Sequence, residues 1–188
     1  MYDVAIVGGG SAGASAATFT GRAGLQTVVI DGDKGMTRRA MLNNHLGFPD
    51  GITGPELVDA GQQQAEKAGA TWLKTDVASL ESRDDGFILT TADGQTVEAK
   101  EVLLTTGANL DIAKKAGLAT RPGTEPRIGE VIAVDADGKS SVAGIWAAGV
   151  AAGQSVHTII TAGDGARVAI NIISGQKGAR WVDHDRMA

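Results

Sequence analysis

The 188-residue sequence contains no cysteine. That absence excludes disulfides, thiolate metal sites, cysteine nucleophiles and any cysteine redox pair within the chain. Histidine is scarce as well. His45, His157 and His184 stand far apart with no H-x-x-x-H or H-E-x-x-H spacing, so no metal site is expected. Basic excess is missing: the net charge is −5 and no stripe of Lys or Arg appears, which argues against a nucleic-acid partner. No apolar run is long enough for a membrane span, and residues 1–7 read as a strand rather than a secretion signal. A cytoplasmic location without a membrane partner is the expectation.

Glycine, by contrast, is abundant. The 27 glycines are about twice the usual share of ~7%, and many follow short apolar runs, where a chain turning tightly around a ligand needs them. The apolar fraction of 43% and charged fraction of 21% are those of an ordinary globular protein, and the length suits one domain, residues 1–188, with a real core.

The N-terminal segment carries the clearest signal. Tyr2-Asp3-Val4-Ala5-Ile6-Val7 runs into Gly8-Gly9-Gly10-Ser11-Ala12-Gly13, then a small-residue helix, the apolar run Thr27-Val28-Val29-Ile30 and the acid Asp31. This is the dinucleotide-binding fingerprint in its full strand–turn–helix–strand–acid context. Gly8 permits the turn, Gly10 leaves the backbone open to a pyrophosphate, and Gly13 lets the helix approach the sheet. The helix from Ser11 aims free N–H groups and a positive dipole end at the phosphates. Asp31 follows at close to the ~20-residue interval of an acid that grips ribose hydroxyls. The fingerprint implies an adenine dinucleotide, without choosing between FAD and NAD(P).

Further along, Thr53 or Gly54 with Pro55 opens a helix that ends at Gly69. Ala70–Ser79, Gly86–Thr91 and Gln95–Ala99 read as short strands, with turns at Asp84-Asp85-Gly86 and Asp93-Gly94. Val102–Thr105 is a buried strand, and a short helical piece lies near Ile112–Gly117. Arg121–Arg127 looks the least ordered. Strands follow at Val131–Val134 and Gly144–Ala148, then a final helix from about Val156 to Ser174. The pattern predicts an α/β fold, a Rossmann-like FAD/NAD(P)-binding domain whose central parallel sheet carries a small antiparallel β-meander.

Four segments together resemble the FAD domain of the thioredoxin reductases, within the pyridine nucleotide-disulfide oxidoreductase family. They are Gly8–Gly13, Gly47-Phe48-Pro49-Asp50-Gly51-Ile52-Thr53-Gly54-Pro55-Glu56-Leu57, Thr106-Gly107-Ala108, and Ser141–Gly149. Ala162-Gly163-Asp164-Gly165 resembles that family's last helix, and the motifs come in the family's order. The resemblance implies FAD as cofactor. Gly8, Gly10, Ser11, Ala12 and Gly13 would cradle the pyrophosphate with Thr106 and Gly107. Asp31, followed by Gly32, would hold the adenosine ribose, and Val77 would meet the adenine. Asn44 would lie by the isoalloxazine. His157, Thr158 and Ile159 would present the start of the last helix to its pyrimidine side, where a helix N-terminus favours negative charge. Gly149 and Val150 occupy the place of the family's glycine–aspartate pair.

The departures from the family are specific. Thioredoxin reductases interrupt this domain with an NADPH domain bearing a Cys-x-x-Cys pair. Here no second GxGxxG and no cysteine lie between Thr106 and Gly149, and residues 108–130 look like a direct splice. Val150 stands where the family has an aspartate, which removes a strong acceptor for ligand hydroxyls. The family's Gly-Gly-Gln-Leu segment is not recognisable between Asp33 and Thr37.

Other residues carry two readings each. His45 is a proton donor near a flavin or a hydrogen-bonded loop histidine. His157, at a helix start facing a possible ligand, reads as a ligand contact before an acid–base catalyst. Trp146 reads as core, Arg38 and Arg39 as solvated, Asp164 as a structural hydrogen-bonding group, and Asp183-His184-Asp185 as a frayed polar tail. Two function classes follow: an FAD-dependent oxidoreductase fed by an external donor (a reduced nicotinamide or a redox protein), or a non-catalytic FAD- or NAD(P)-binding subunit or sensor. The missing second domain would leave a surface near the apolar Leu46, Phe48 and Ile52 uncovered, which suggests a homodimer.

Overall fold

The computed structural model describes residues 1–185. Strand β1 (Tyr2–Val7), helix α1 (Ser11–Arg22) and strand β2 (Thr27–Ile30) form the opening βαβ unit, with β1 and β2 parallel from Val4↔Thr27 to Val7↔Ile30. All four β2 residues are buried, as expected of a strand covered on both faces. The chain then makes a 3-10 turn at Met36–Arg39 and a two-stranded ribbon of β3 (Met41–Leu42) and β4 (Ile52–Thr53). Helix α2 (Gly54–Lys67) starts where Thr53 and Pro55 predict. Thr53 accepts from the Glu56 N–H, and the Glu56 side chain returns to the Thr53 N–H at 3.0 Å, a reciprocal capping box.

The predicted strand Ala70–Ser79 is in fact two. Strand β5 (Thr71–Leu73) lies parallel to β2 at one edge of the sheet, whereas β6 (Val77–Arg83) begins the antiparallel meander with β7 (Gly86–Thr91). The opposite correction applies to Gln95–Ala99 and Val102–Thr105, which merge into β8 (Thr96–Leu104). Its first half pairs with β7 and its second half with β1. The polar residues that suggested a break are accommodated, Lys100 pairing with Asp3 at 2.7 Å and Glu101 accepting from the Trp146 indole. Helix α3 (Asp111–Lys115) and the hairpin β9 (Thr120–Pro122) and β10 (Glu130–Ile132) follow, so Arg121 and Pro122 are in a strand. Strand β11 (Ile145–Ala147) pairs with the end of β8, a 3-10 turn spans Gly149–Ala152, and helix α4 (Thr158–Lys177) closes the fold.

The main sheet runs β5-β2-β1-β8-β7-β6, with β11 also on β8. Alternation in β1 sends Val4 and Ile6 towards the helices, with Ala16, Ala17, Val168 and Ile172. Ala5 and Val7 face the meander and the β9–β10 hairpin. Small residues let α1 and α4 meet closely: a Cβ on Gly165 would stand 2.1 Å from the Ala12 carbonyl oxygen. That contact brings the two helix N-termini together above the sheet. At the C-terminal end of the chain, Arg22 binds both Asp183 and Asp185 at 2.5–2.6 Å and Trp181 packs edge-on to Phe19 at 6.4 Å, so the tail expected to fray is docked on α1.

Candidate functional site

A cavity of about 550 Å³ opens at the carboxyl ends of β1, β2, β8 and β11. This is the switch point where open α/β sheets bind ligands, and the volume lies in the usual range of roughly 300–1,000 Å³. The β1–α1 turn forms its floor. Gly8 holds φ at 101°, and a Cβ there would meet the Thr105 carbonyl oxygen at 2.6 Å. The Thr105 hydroxyl in turn donates to the Gly8 carbonyl at 2.7 Å, pinning the turn. Gly10 is different: nothing lies within 4 Å of where its Cβ would be, so its missing side chain faces open space in the cavity. Gly10 is also the N-cap of α1 and provides no side-chain cap, so the first-turn N–H groups, beginning with Ser11 and Ala12, face the same space.

At one end stand Asp31, Gly32 and Val77. The Asp31 carboxylate lies beside the glycine turn, 2.7 Å from the Cβ position of Gly9, and no hydrogen bond to it occurs among the described residues. Gly32 makes room for Asp76, whose Oδ1 would stand 2.0 Å from a Cβ there. Asp76 binds Lys34 at 2.5 Å, and this pair lines the same end. Thr106 and Gly107, after β8, form one side wall.

The other end is built by Val150, Thr158 and Thr161. Ser11 and Thr161 share a hydrogen bond of 2.6 Å, which ties the two helix starts together. Residues 33–48 arch over the groove from β2 to α4. The arch ends where His45 Nδ1 meets Thr158 Oγ1 at 2.9 Å, with the Phe48 ring 5.8 Å from the imidazole. Burial without a charged partner holds the His45 pKa below its ordinary value. Ile128, from the β9–β10 loop, adds an apolar wall.

Of the residues expected at the site, Gly8, Gly10, Ser11, Ala12, Asp31, Gly32, Val77, Thr106, Gly107, Val150 and Thr158 line this one cavity. Five do not. Gly13 lies behind the floor, where a Cβ would be 1.9 Å from the Gly8 carbonyl oxygen. Gly149 is buried and donates its N–H to Asp164 at 2.8 Å, and Arg167 holds the same carboxylate. Asn44 is exposed on the arch, and Ile159 is on the outer face of α4. His157 is exposed and turned to Ser155 at 2.8 Å. Arg38 is bound to Asp33 and Asp59, and Trp146 is in the core. Sequence reasoning missed Thr161, although it sits three residues after Thr158 and so shares its helix face. It also missed the Asp76–Lys34 pair and the His45–Thr158 contact, for which no local signal exists.

A family model described as pyridine nucleotide-disulphide oxidoreductase matches residues 2–109. The chain belongs to this family. Among its relatives is a thioredoxin reductase of Streptomyces clavuligerus, 38% identical over 112 residues, or 57% of this chain and 35% of that protein. A bifunctional thioredoxin reductase/thioredoxin of Mycobacterium leprae is 35% identical over 113 residues, 58% of this chain and 25% of that one. The chain thus spans about a third or less of the length of these oxidoreductases. Its fold is that of the atypical thioredoxin reductase TRi from Desulfovibrio vulgaris Hildenborough, with a TM-score of 0.83 at 20% identity over 95% of this chain and 99% of that one. A thioredoxin reductase from Gloeobacter violaceus gives 0.81 at 18% identity, over 100% and 99%. The chain contains no cysteine. No helix among the described residues is long and apolar enough to cross a membrane.

Proposed function

We propose that this chain binds FAD in the cavity and acts as the flavin half of an oxidoreductase, with electrons supplied by an external donor, a reduced nicotinamide or a redox protein. One observation carries the proposal. Open space at Gly10 lies over the uncapped N–H groups of α1, and the carboxylate of Asp31, without a hydrogen-bond partner among the described residues, stands at one end of that space. Phosphates need the first feature and ribose hydroxyls the second, so the residues present fit a dinucleotide.

Gly8, Gly10, Ser11 and Ala12 would hold the pyrophosphate, with Thr106 and Gly107 beside it, and Asp31 and Val77 would hold the adenosine. The ring system then falls to the end formed by Val150, Thr158 and Thr161. There the start of α4 directs its dipole and the hydroxyls offer neutral hydrogen bonds. Bound FAD supplies reversible electron transfer, and the protein supplies orientation and electrostatics. Without cysteine, thiol–disulfide chemistry would need thiols on another chain.

A second reading, a non-catalytic FAD- or NAD(P)-binding subunit or sensor, draws on Val150, an apolar side chain facing the ring end. Leu46, Ile159 and Ile160 are 86%, 39% and 44% exposed beside the same end, and a second copy of the chain is the cover proposed for them. The test is the visible spectrum of purified protein before and after incubation with FAD and removal of the excess. A bound flavin band that bleaches with reductant supports the oxidoreductase. A protein that retains FAD without accepting electrons from dithionite or reduced nicotinamide supports the sensor, and one that retains no FAD overturns the oxidoreductase reading.

A further inference from the structure

Behind the ring end of the cavity lies a titratable group that takes no part in the proposed binding of FAD. His45 lies on the arch rather than on the cavity wall, and its Nδ1 is 2.9 Å from the hydroxyl of Thr158. Thr158 is buried, lines the cavity, and has the imidazole as the only hydrogen-bond partner of its hydroxyl among the described residues. A threonine hydroxyl has one proton and two lone pairs, so what it shows the cavity depends on what it gives the imidazole. When Nδ1 is unprotonated it accepts the Thr158 proton, and the lone pairs face the ligand. When Nδ1 carries a proton it donates to Thr158, and the hydroxyl proton turns into the cavity.

Among the described residues, no charged side chain pairs with this imidazole. On its own loop Asp50 makes no ion pair with it, on the arch Arg38 is held by Asp33 and Asp59, and on the approach to α4 His157 is held by Ser155. Its environment is the Phe48 ring and the Thr158 hydroxyl, and burial disfavours its charged form. A negative charge arriving at the ring end is therefore the event best able to draw a proton onto His45.

Resting on the FAD reading above, we propose that His45 is a positioning residue that acts through Thr158, switching this hydroxyl from acceptor to donor when the bound ring is reduced. The step balances. A two-electron donor, dithionite in the test below, would deliver its electron pair to the ring, which would take up one solvent proton at its own site and keep one negative charge. One further solvent proton binds His45 Nδ1, and the Thr158 O–H reorients without breaking. Reduction then consumes one more proton per electron pair than the ring alone, in the pH window between the imidazole's pKa values in the two redox states.

The experiment loads the full chain with FAD and measures the midpoint potential against pH, with dithionite as reductant. Variants are His45→Gln, Thr158→Val and Thr158→Ser, and imidazole NMR titrations of the ligand-free proteins are run alongside. His45→Gln and Thr158→Val are expected to lose up to one proton per electron pair, with Thr158→Ser behaving as the native chain. The ligand-free His45 signal should titrate below the ordinary histidine value. Unchanged proton uptake in a flavin-loaded His45→Gln or Thr158→Val protein overturns the relay alone. A native chain that takes up no FAD overturns the functional reading and the relay with it. If His45→Gln fails to fold, the Thr158→Val and Thr158→Ser pair decides the question.

Discussion

At its Asp31 end and along its floor, the cavity is made mainly of the glycine turn, its N–H groups and the Asp31 carboxylate, all from the opening βαβ unit, with Lys34, Asp76 and Val77 beside them. At its Thr158 end it is made of side chains from segments that are distant in sequence, namely the arch, the 3-10 turn at Val150, the β9–β10 loop and α4. The family match covers the first end and stops at residue 109, before any of Val150, Thr158 or Thr161. Backbone geometry tolerates little change, because a phosphate needs the same N–H groups whatever chemistry follows. Side-chain walls can be exchanged one at a time.

The strongest way to break that comparison is within the glycine turn itself. Gly13→Ala puts a methyl 1.9 Å from the Gly8 carbonyl oxygen and should destabilise the fold by about 3 kcal/mol in urea unfolding. Gly10→Ala meets nothing within 4 Å and should leave stability within about 0.5 kcal/mol while weakening FAD binding at least ~10-fold. Equal stability loss in both would show that the turn is only a packing device. At the other end, Val150→Asp adds an acceptor facing the cavity and should tighten FAD about tenfold by fluorescence titration. No change would mean that Val150 does not meet the ligand.

The smallest effect lies at the opposite end of the helix-covered face, where Glu101 accepts from Trp146 and Gln176. Burial raises its pKa, against the downward pull of those hydrogen bonds. A carboxyl raised in the folded state contributes stability below its unfolded pKa and loses it as pH rises through the folded value. Glu101→Gln should therefore match the native Tm at acid pH and exceed it increasingly towards pH 8. A difference independent of pH would exclude titration of Glu101 as the cause.

Much of this was legible in local sequence. The β1–α1–β2 unit, the Thr53 cap and the β6–β7 turn follow from short-range pattern, since each is stabilised by neighbours a few residues away. The strand boundaries at Ala70–Ser79 and Gln95–Thr105 did not, because a strand's identity depends on its partner. Lys100-Glu101 continues β8 only because Asp3 and Trp146 are there to receive its side chains.

The sequence by itself determined the glycine turn, the acid at Asp31 and the absence of thiol chemistry, because these depend on residue type and short spacing. Only the tertiary structure decided which residues face the ring end. It turned His157, Ile159 and Asn44 outward and brought His45 to Thr158. The reason is the close packing of α1 on α4 at Gly165, which fixes the direction of the last helix and so which of its first residues the cavity sees.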